Sequence, residues 1–419
     1  MTPRPPLSVT GLRCLLCSAV FPHGELYTCP RCGVQGILNV EYDYGRVAAA
    51  LAKHPFAARS AHIWRYLELL PVSPDISPPR LDVGWTPVYD TPRLAEVIGI
   101  GRLLLKDDGS NPTSSFKDRA SAIGVMKAKE FGRQEVACAS TGNAASSLAG
   151  LSAAFGLKSY IFVPERAPDP KVTQLLIFGA TVFRIRGTYE DAFELCRLAC
   201  ETFGWYNRNS GTNPFLVEGK KTAGLEIAEQ CREAMPDWVV VSVGDGCTIG
   251  GIGKGLQEMN RLGIIPRIPR LLGVQAQGAR PIVDAFVSGQ ELVPSRVNTV
   301  ADSIAVGTPR NWRRAIGQVR QSDGTIIAVE DEEILDAMRV TARHSGVFGE
   351  PAGVAGVAGL RRAVRLGLVK KSASALVVIT GNGLKDIQTA RVAAGEEMLI
   401  EPRLEAVKAA LADAPGRVL

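Results

Sequence analysis

The sequence predicts an α/β protein with mainly parallel sheets covered by helices on both faces, and three observations carry that reading. Apolar runs rich in valine and isoleucine, at residues 136–140, 160–163, 181–185, 238–243, 271–274, 326–329 and 376–380, alternate with stretches of helical periodicity. Glycine is in excess, 43 of 419 residues against a usual share of about 7%, which points to tight turns and close approach of backbone to a ligand. A chain of 419 residues is too long for one simple core, so two packed domains are expected.

In chain order, the first feature is a pair of knuckles, Cys14-Leu-Leu-Cys17 and Cys29-Pro-Arg-Cys32. Each lets two thiolates point at one ion, and together they supply the four tetrahedral ligands of a structural zinc. Such a closed set keeps no position open for water, so its predicted role is to fold a segment too small to bury a core unaided. The remaining cysteines, Cys138, Cys196, Cys200, Cys231 and Cys247, are scattered and read as small buried hydrophobes. Residues 46–54 and 62–70 then read as two short amphipathic helices, and the Pro-rich stretch 71–79 as a break.

From residue 84 the α/β rhythm takes over. In such folds ligands sit at the carboxyl ends of strands, where short loops lead into helix N-termini. Four loops there carry unusual chemistry. In Asn111-Pro-Thr-Ser-Ser-Phe-Lys117-Asp-Arg119, the hydroxyls offer caps for a helix from about Ser115, which puts Lys117 in its first turn. The helix dipole disfavours a cation there, as suits a lysine that must be neutral to attack an aldehyde. A surface lysine whose stem carries it clear competes with that reading on position alone. Ser140-Thr141-Gly142-Asn143 offers hydroxyls and helix-start amides to a carboxylate, or simply caps the next helix. Gly244-Asp245-Gly246-Cys247-Thr248, continuing through Gly250 and Gly251, is a glycine-rich loop suited to a phosphate, one residue off the dinucleotide fingerprint. Thr380-Gly381-Asn-Gly383 ends the last apolar run with a hydroxyl.

Together these blocks, with Glu218-Gly-x-Lys-Thr222 and Glu350-Pro-Ala-Gly353, resemble the pyridoxal-phosphate enzymes of the tryptophan synthase β / threonine dehydratase fold, most closely the threonine synthases. The resemblance runs from about Gly11 to about Arg391. It implies two doubly wound lobes plus the N-terminal zinc ribbon: ribbon 11–44, helical linker 45–83, catalytic region 84–395 with a small lobe near 125–205 inserted in the large one, and a tail 396–419. It further implies that Lys117 carries pyridoxal 5'-phosphate as an imine. By the same resemblance Asn143 bonds the ring hydroxyl, Gly244, Asp245, Gly246, Cys247 and Thr248 form the phosphate loop, and Thr380 meets the ring nitrogen. Ser140 and Thr141 are then expected on the substrate carboxylate, with Ser115, Lys106 and Arg119 near its phosphate; for Arg119 a structural ion pair is the competing reading.

The implied reaction converts O-phospho-L-homoserine and water to L-threonine and phosphate. Related readings keep the same machinery for O-phosphoserine, or for a serine, threonine or diaminopropionate ammonia-lyase; a reading of another class is a non-catalytic regulatory paralogue. Four departures bear on the substrate: Ser114 where glycine is usual, Ala144 in place of a hydroxyl residue, a loose match over 302–312, and the Asp245 carboxylate inside a phosphate loop. Composition narrows the partners. Lys and Arg number 48 against 42 Asp and Glu, a net +6 spread along the chain, which does not imply nucleic acid. Four histidines leave little for a histidine-rich metal site. Without an uncharged run of membrane length or a leader pattern, no membrane partner is expected; the cytoplasm is, and by resemblance a homodimer.

Overall fold

A computed structural model describes residues 3–167 and 169–412. Residues 413–419 of the expected tail lie outside the described residues. The first sheet is antiparallel, built from β1 (Val9–Cys14), β2 (Val20–Phe21), β3 (Thr28–Cys29) and β4 (Gly33–Tyr42) in the order β2-β1-β4-β3. Along β4 the alternation required of a half-buried strand is visible: Leu38, Val40 and Tyr42 are buried, while Asn39 and Glu41 between them are half-buried.

The helix Tyr44–Lys53 follows, capped by the Asp43 carboxylate on the Arg46 amide. The second expected helix is instead a tighter turn of 3₁₀ type, Ile63–Leu69, with Tyr66 off helical values at φ −101° and ψ 28°. Its cause is Arg65, which turns inward to the carbonyls of Phe56, Arg59 and Ser60 and to Glu229, so a polar group anchors a segment that periodicity reads as amphipathic. The Pro-rich stretch is docked, with Val72 buried and the Ser73 amide donating to Glu130.

Beyond the N-terminal sheet, the strands between residues 88 and 379 form two further sheets. Strands β5 (Val88–Asp90) and β6 (Arg102–Asp107) belong to the large one; β7 (Glu135–Ala139), β8 (Lys158–Pro164), β9 (Thr181–Ile185) and β10 (Tyr206–Asn207) form a separate parallel sheet in the order β10-β7-β8-β9. The chain then returns to the large sheet through β11 (Trp238–Ser242), β12 (Arg270–Ala276), β13 (Thr325–Val329) and β14 (Ser374–Ile379), giving β13-β12-β11-β14-β6-β5 with only β5 antiparallel. The smaller sheet is therefore an insertion between β6 and β11. Strand β11 is buried along its whole length, as a parallel strand covered on both faces must be.

Much of the glycine excess has a packing role. Helices Phe215–Gln230 and Cys247–Arg261 approach so closely that a Cβ on Gly224 would stand 2.2 Å from the Ile252 carbonyl oxygen, and one on Gly255 2.4 Å from that of Lys221. Gly250 and Gly251, expected among the ligand-loop glycines, belong to this helix and pack on Arg314 and Lys220.

Candidate active site

The lysine loop and the Thr380 loop are stitched together at the carboxyl ends of β6 and β14. The Phe116 amide donates to the Thr380 carbonyl (2.9 Å), the Asn382 amide donates to the Ser114 carbonyl (3.1 Å), and Ser115 bridges Gly381. Ser114 has φ of +63°, the left-handed region that favours glycine, so this departure from the family pattern keeps a glycine conformation. Lys117 is the first residue of the helix Lys117–Glu130. Its ammonium is held down to about 8, first by burial and then by Lys220, with Glu350 opposing. Burial, rather than the helix dipole anticipated from sequence, is the first cause of that depression.

In the inserted lobe, Asn143 opens the helix Asn143–Phe155 and donates through Nδ2 to Glu350 (2.7 Å) and Ser303 (3.3 Å). Glu350 precedes the helix Pro351–Arg365 and donates its amide to the Gly381 carbonyl. Burial pushes its carboxyl up, against the pull of Lys117. A Cβ at Gly381 would stand 2.4 Å from Glu350 Oε1, so only glycine leaves room for that carboxylate. A cavity of about 270 Å³ opens beside this group, lined among others by Ser114, Thr141, Asn143, Ser303, Glu350 and Lys385. Ser140 supports the wall, its hydroxyl accepting from the Gly142 amide. Thr380 directly follows β14, and neither it, Lys117 nor residues 244–248 line that cavity.

The glycine loop joins β11 to the helix Cys247–Arg261 through Gly246, whose φ is +95°. A Cβ there would be 2.7 Å from the Asn311 carbonyl oxygen, and one at Gly244 3.0 Å from Ile304 Cα. Asp245, the apparent obstacle to a phosphate, faces away: Oδ1 accepts from the Arg310 amide (2.7 Å), and Oδ2 from Asn311 Nδ2 (3.0 Å) and the Cys247 thiol (2.9 Å). Thr248 lies in the first helical turn.

Two cations that sequence reasoning missed stand beside this loop. Arg208, 1% exposed, donates to Ser121, Ser210 and the Lys117 carbonyl, all neutral oxygens. Lys220, 2% exposed, lies against Cys247. Neither has a carboxylate within ion-pair distance among the described residues. Buried charges are normally paired, so this corner lacks negative charge. The Ser115 hydroxyl is also buried without a partner. A phosphate-bearing aldehyde fits what is present: a depressed amine, a glycine-led helix start and unpaired cations. Lys220 and Glu350 lie in motifs visible in the sequence; Arg208 carries no local signal, because only the fold brings it to Lys117.

Two expected substrate residues are engaged elsewhere. Lys106 is fully buried, paired with Glu226 (2.8 Å) and donating to the Thr86 carbonyl and Gln230. Arg119 is held by Asp108 (2.6 Å) and Glu226 (2.5 Å). Their positive charge is spent inside the protein, and neither lines the cavity, so the ion-pair reading of Arg119 is the right one. Asp118, next to it, instead accepts from the Thr113 amide and hydroxyl.

In the N-terminal sheet the four sulfurs of Cys14, Cys17, Cys29 and Cys32 lie within 4.8 Å of one another, with Cys14 to Cys32 at 4.0 Å and Cys17 to Cys29 at 3.7 Å. A tetrahedron with metal–sulfur bonds of about 2.3 Å has edges of roughly 3.8 Å, so the donors suit a zinc ion. The amides of Leu16 and Cys17 point at Cys14 Sγ, and a Cβ on Gly36 would stand 2.5 Å from that of Cys29.

Residues 79–381 match the family model described as pyridoxal-phosphate dependent enzyme. The chain is 40% identical to the threonine synthase of Methanosarcina acetivorans over 96% of this chain and 98% of that one. It is 37% identical to that of Methanocaldococcus jannaschii over 94% and 98%. Among solved structures it is similar to the processed form of threonine deaminase isoform 2 from Solanum lycopersicum, at a TM-score of 0.64 and 20% identity over 74% of this chain and 83% of that one. Among the described residues no helix is long and apolar enough to cross a membrane.

Proposed function

The chain belongs to the threonine synthases within the pyridoxal-phosphate dependent enzymes, and on that premise we propose that it converts O-phospho-L-homoserine and water to L-threonine and phosphate. The observation that carries this reading is the grouping of a depressed Lys117 amine with the unpaired cations Arg208 and Lys220 at a glycine-led helix start.

Lys117 would hold pyridoxal phosphate, with its phosphate at the amides of residues 244–248 and Thr380 at its ring nitrogen. When bound, that cofactor supplies an electron sink for negative charge next to the substrate nitrogen. The chain's own residues do the rest. Lys117, free to be neutral near pH 8, takes the proton from Cα and returns it at the end. Thr141 and the first amides of the helix Asn143–Phe155 bind the substrate carboxylate. Asn143, braced by Glu350 and Ser303, holds the reacting centre in register. Phosphate leaves Cγ as an anion, and the hydroxyls and cations of the cavity, among them Ser114 and Lys385, are placed to receive it. Water adds at Cβ. The Thr380 hydroxyl, unlike a carboxylate, does not stabilise a protonated ring nitrogen, which favours elimination over transamination.

The reading extends to a structural zinc in the four-cysteine cluster, to the division 11–44, 45–83, 84–395 and 396–419, and to a cytoplasmic homodimer. None of the nine cysteines is in a disulfide, as suits a reducing compartment, and sedimentation tests the dimer. The functional test offers the purified holoenzyme O-phospho-L-homoserine beside O-phosphoserine and threonine. Threonine and phosphate should form from the first alone, and Lys117→Ala should abolish both. Turnover confined to either competitor would overturn the substrate.

A further inference from the structure

A second cavity, of about 400 Å³, lies between the N-terminal sheet and the helices Cys247–Arg261 and Trp312–Gln321. It shares no lining residue with the cleft beside Lys117. Its floor is Arg314, 6% exposed. That guanidinium donates to Asn39 Oδ1 (2.7 Å), the Leu38 carbonyl (2.7 Å) and Asn311 Oδ1 (3.3 Å), and no carboxylate lies within ion-pair distance of it among the described residues. Other buried arginines in this chain are neutralised: Arg119 by Asp108 and Glu226, Arg65 by Glu229. Arg208 is not, and it stands where the chemistry calls for a phosphate. Arg314 presents the same deficit at a place where the reaction needs no anion.

The walls continue the pattern. Arg261 is exposed at the rim, stacked over the Tyr44 ring at 4.1 Å and without an ion pair among the described residues. Arg313 also lines the cavity, its one carboxylate partner among the described residues being the exposed Glu291. Gln257 and Gln321 also line it, bonded to each other through their side-chain amides (2.6 Å), polar groups able to meet a ligand hydroxyl. Three arginines outweigh Glu258, the one carboxylate in the lining, and Glu258 is already engaged by Lys221 and Lys254.

We propose that this cavity is a binding site for a small hydroxyl-bearing anion of the phosphate or carboxylate kind, which supplies the missing counter-charge to Arg314. Its volume suits a ligand up to about the size of a nucleoside monophosphate. The site reaches the cofactor loop through Arg314, Asn311 and Asp245, successive partners in one hydrogen-bond chain, so its occupant is placed to act as an effector.

Gly317 makes the test clean. It lines the cavity from the helix Trp312–Gln321, and a Cβ there meets nothing within 4 Å, so Gly317→Glu starts a carboxylate-bearing side chain from open space. Holoenzyme is titrated calorimetrically with citrate and with AMP, which separate the carboxylate and phosphate sources, and with inorganic sulfate as a control lacking the hydroxyl. Citrate or AMP should bind one per chain with Kd below about 1 mM and more tightly than sulfate. Gly317→Glu, and separately Arg261→Ala, should each weaken that binding at least fivefold, while turnover without the anion stays within twofold of the parent. Absence of saturable binding by both probes, or a loss under fivefold in Gly317→Glu, overturns the proposal. Because basal turnover is read in the same samples, failure here is distinguishable from failure of the synthase reading.

Discussion

Lys117 shows how much a single residue's surroundings decide. Its amine attacks an aldehyde only when neutral, and burial with Lys220 beside it lowers its pKa from the ordinary lysine value to about 8. The neutral fraction therefore rises with pH up to that midpoint and saturates above it. Cofactor capture by the cofactor-free protein should accelerate about tenfold per unit below pH 8 and level off above. In Lys220→Gln a cause of depression is gone, so the midpoint should move up; stopped-flow absorbance of the imine band reads both. Ser114 gives a second prediction. A serine at φ +63° pays for a left-handed backbone, so Ser114→Gly should stabilise by up to about 1 kcal/mol in denaturant unfolding, with the lysine loop unchanged. At this scale the sequence was readable wherever chemistry is local: Lys117, Asn143 and the 244–248 loop each sit in a recognisable run. Arg208 and the bracing of Asn143 by Glu350 were not, because partners separated by 91 and 207 residues are joined only by folding. Lys106 and Arg119 misled for the converse reason: proximity to Lys117 in sequence says nothing of the carboxylates, Asp108 and Glu226, that claim them.

Among elements, the N-terminal sheet is tied to the catalytic body by polar groups. Lys254 donates to the Val40 carbonyl, Tyr42 to Glu218, and Arg314 to Leu38 and Asn39. A zinc ion there should act on folding rather than chemistry. Chelation, or Cys32→Ser, should lower the thermal midpoint by several degrees and leave kcat of the surviving folded enzyme within about twofold. A loss of kcat in proportion to zinc, at unchanged midpoint, would contradict a structural role. The crossing of helices Phe215–Gln230 and Cys247–Arg261 makes a separate prediction. Gly224→Ala forces a methyl to within 2.2 Å of the Ile252 oxygen and should cost about 1–3 kcal/mol, although alanine alone would favour the helix. Periodicity located the central strands well, since both-face burial leaves unbroken apolar runs. It missed β6, where a buried lysine interrupts the hydrophobic signal, and misread Ile63–Leu69, where Arg65 looks inward.

For the whole molecule, the order of the loops along the chain was more informative than any one of them. The insertion of a parallel sheet between β6 and β11 sets Asn143 on one lobe against Glu350 on the other, with a cleft between. Composition could say only that the chain had material for two domains and glycines to spare. Many of those glycines proved to serve helix contact rather than ligand approach, a distinction no count can make. The central claim is that one active site cleaves the carbon–oxygen bond of O-phospho-L-homoserine and puts water on the neighbouring carbon. Turnover in water labelled with heavy oxygen tests it most directly, by mass spectrometry of both products. Threonine carrying one label at its hydroxyl, with unlabelled phosphate, is the predicted result; labelled phosphate with homoserine would mean hydrolysis at phosphorus and would contradict the account.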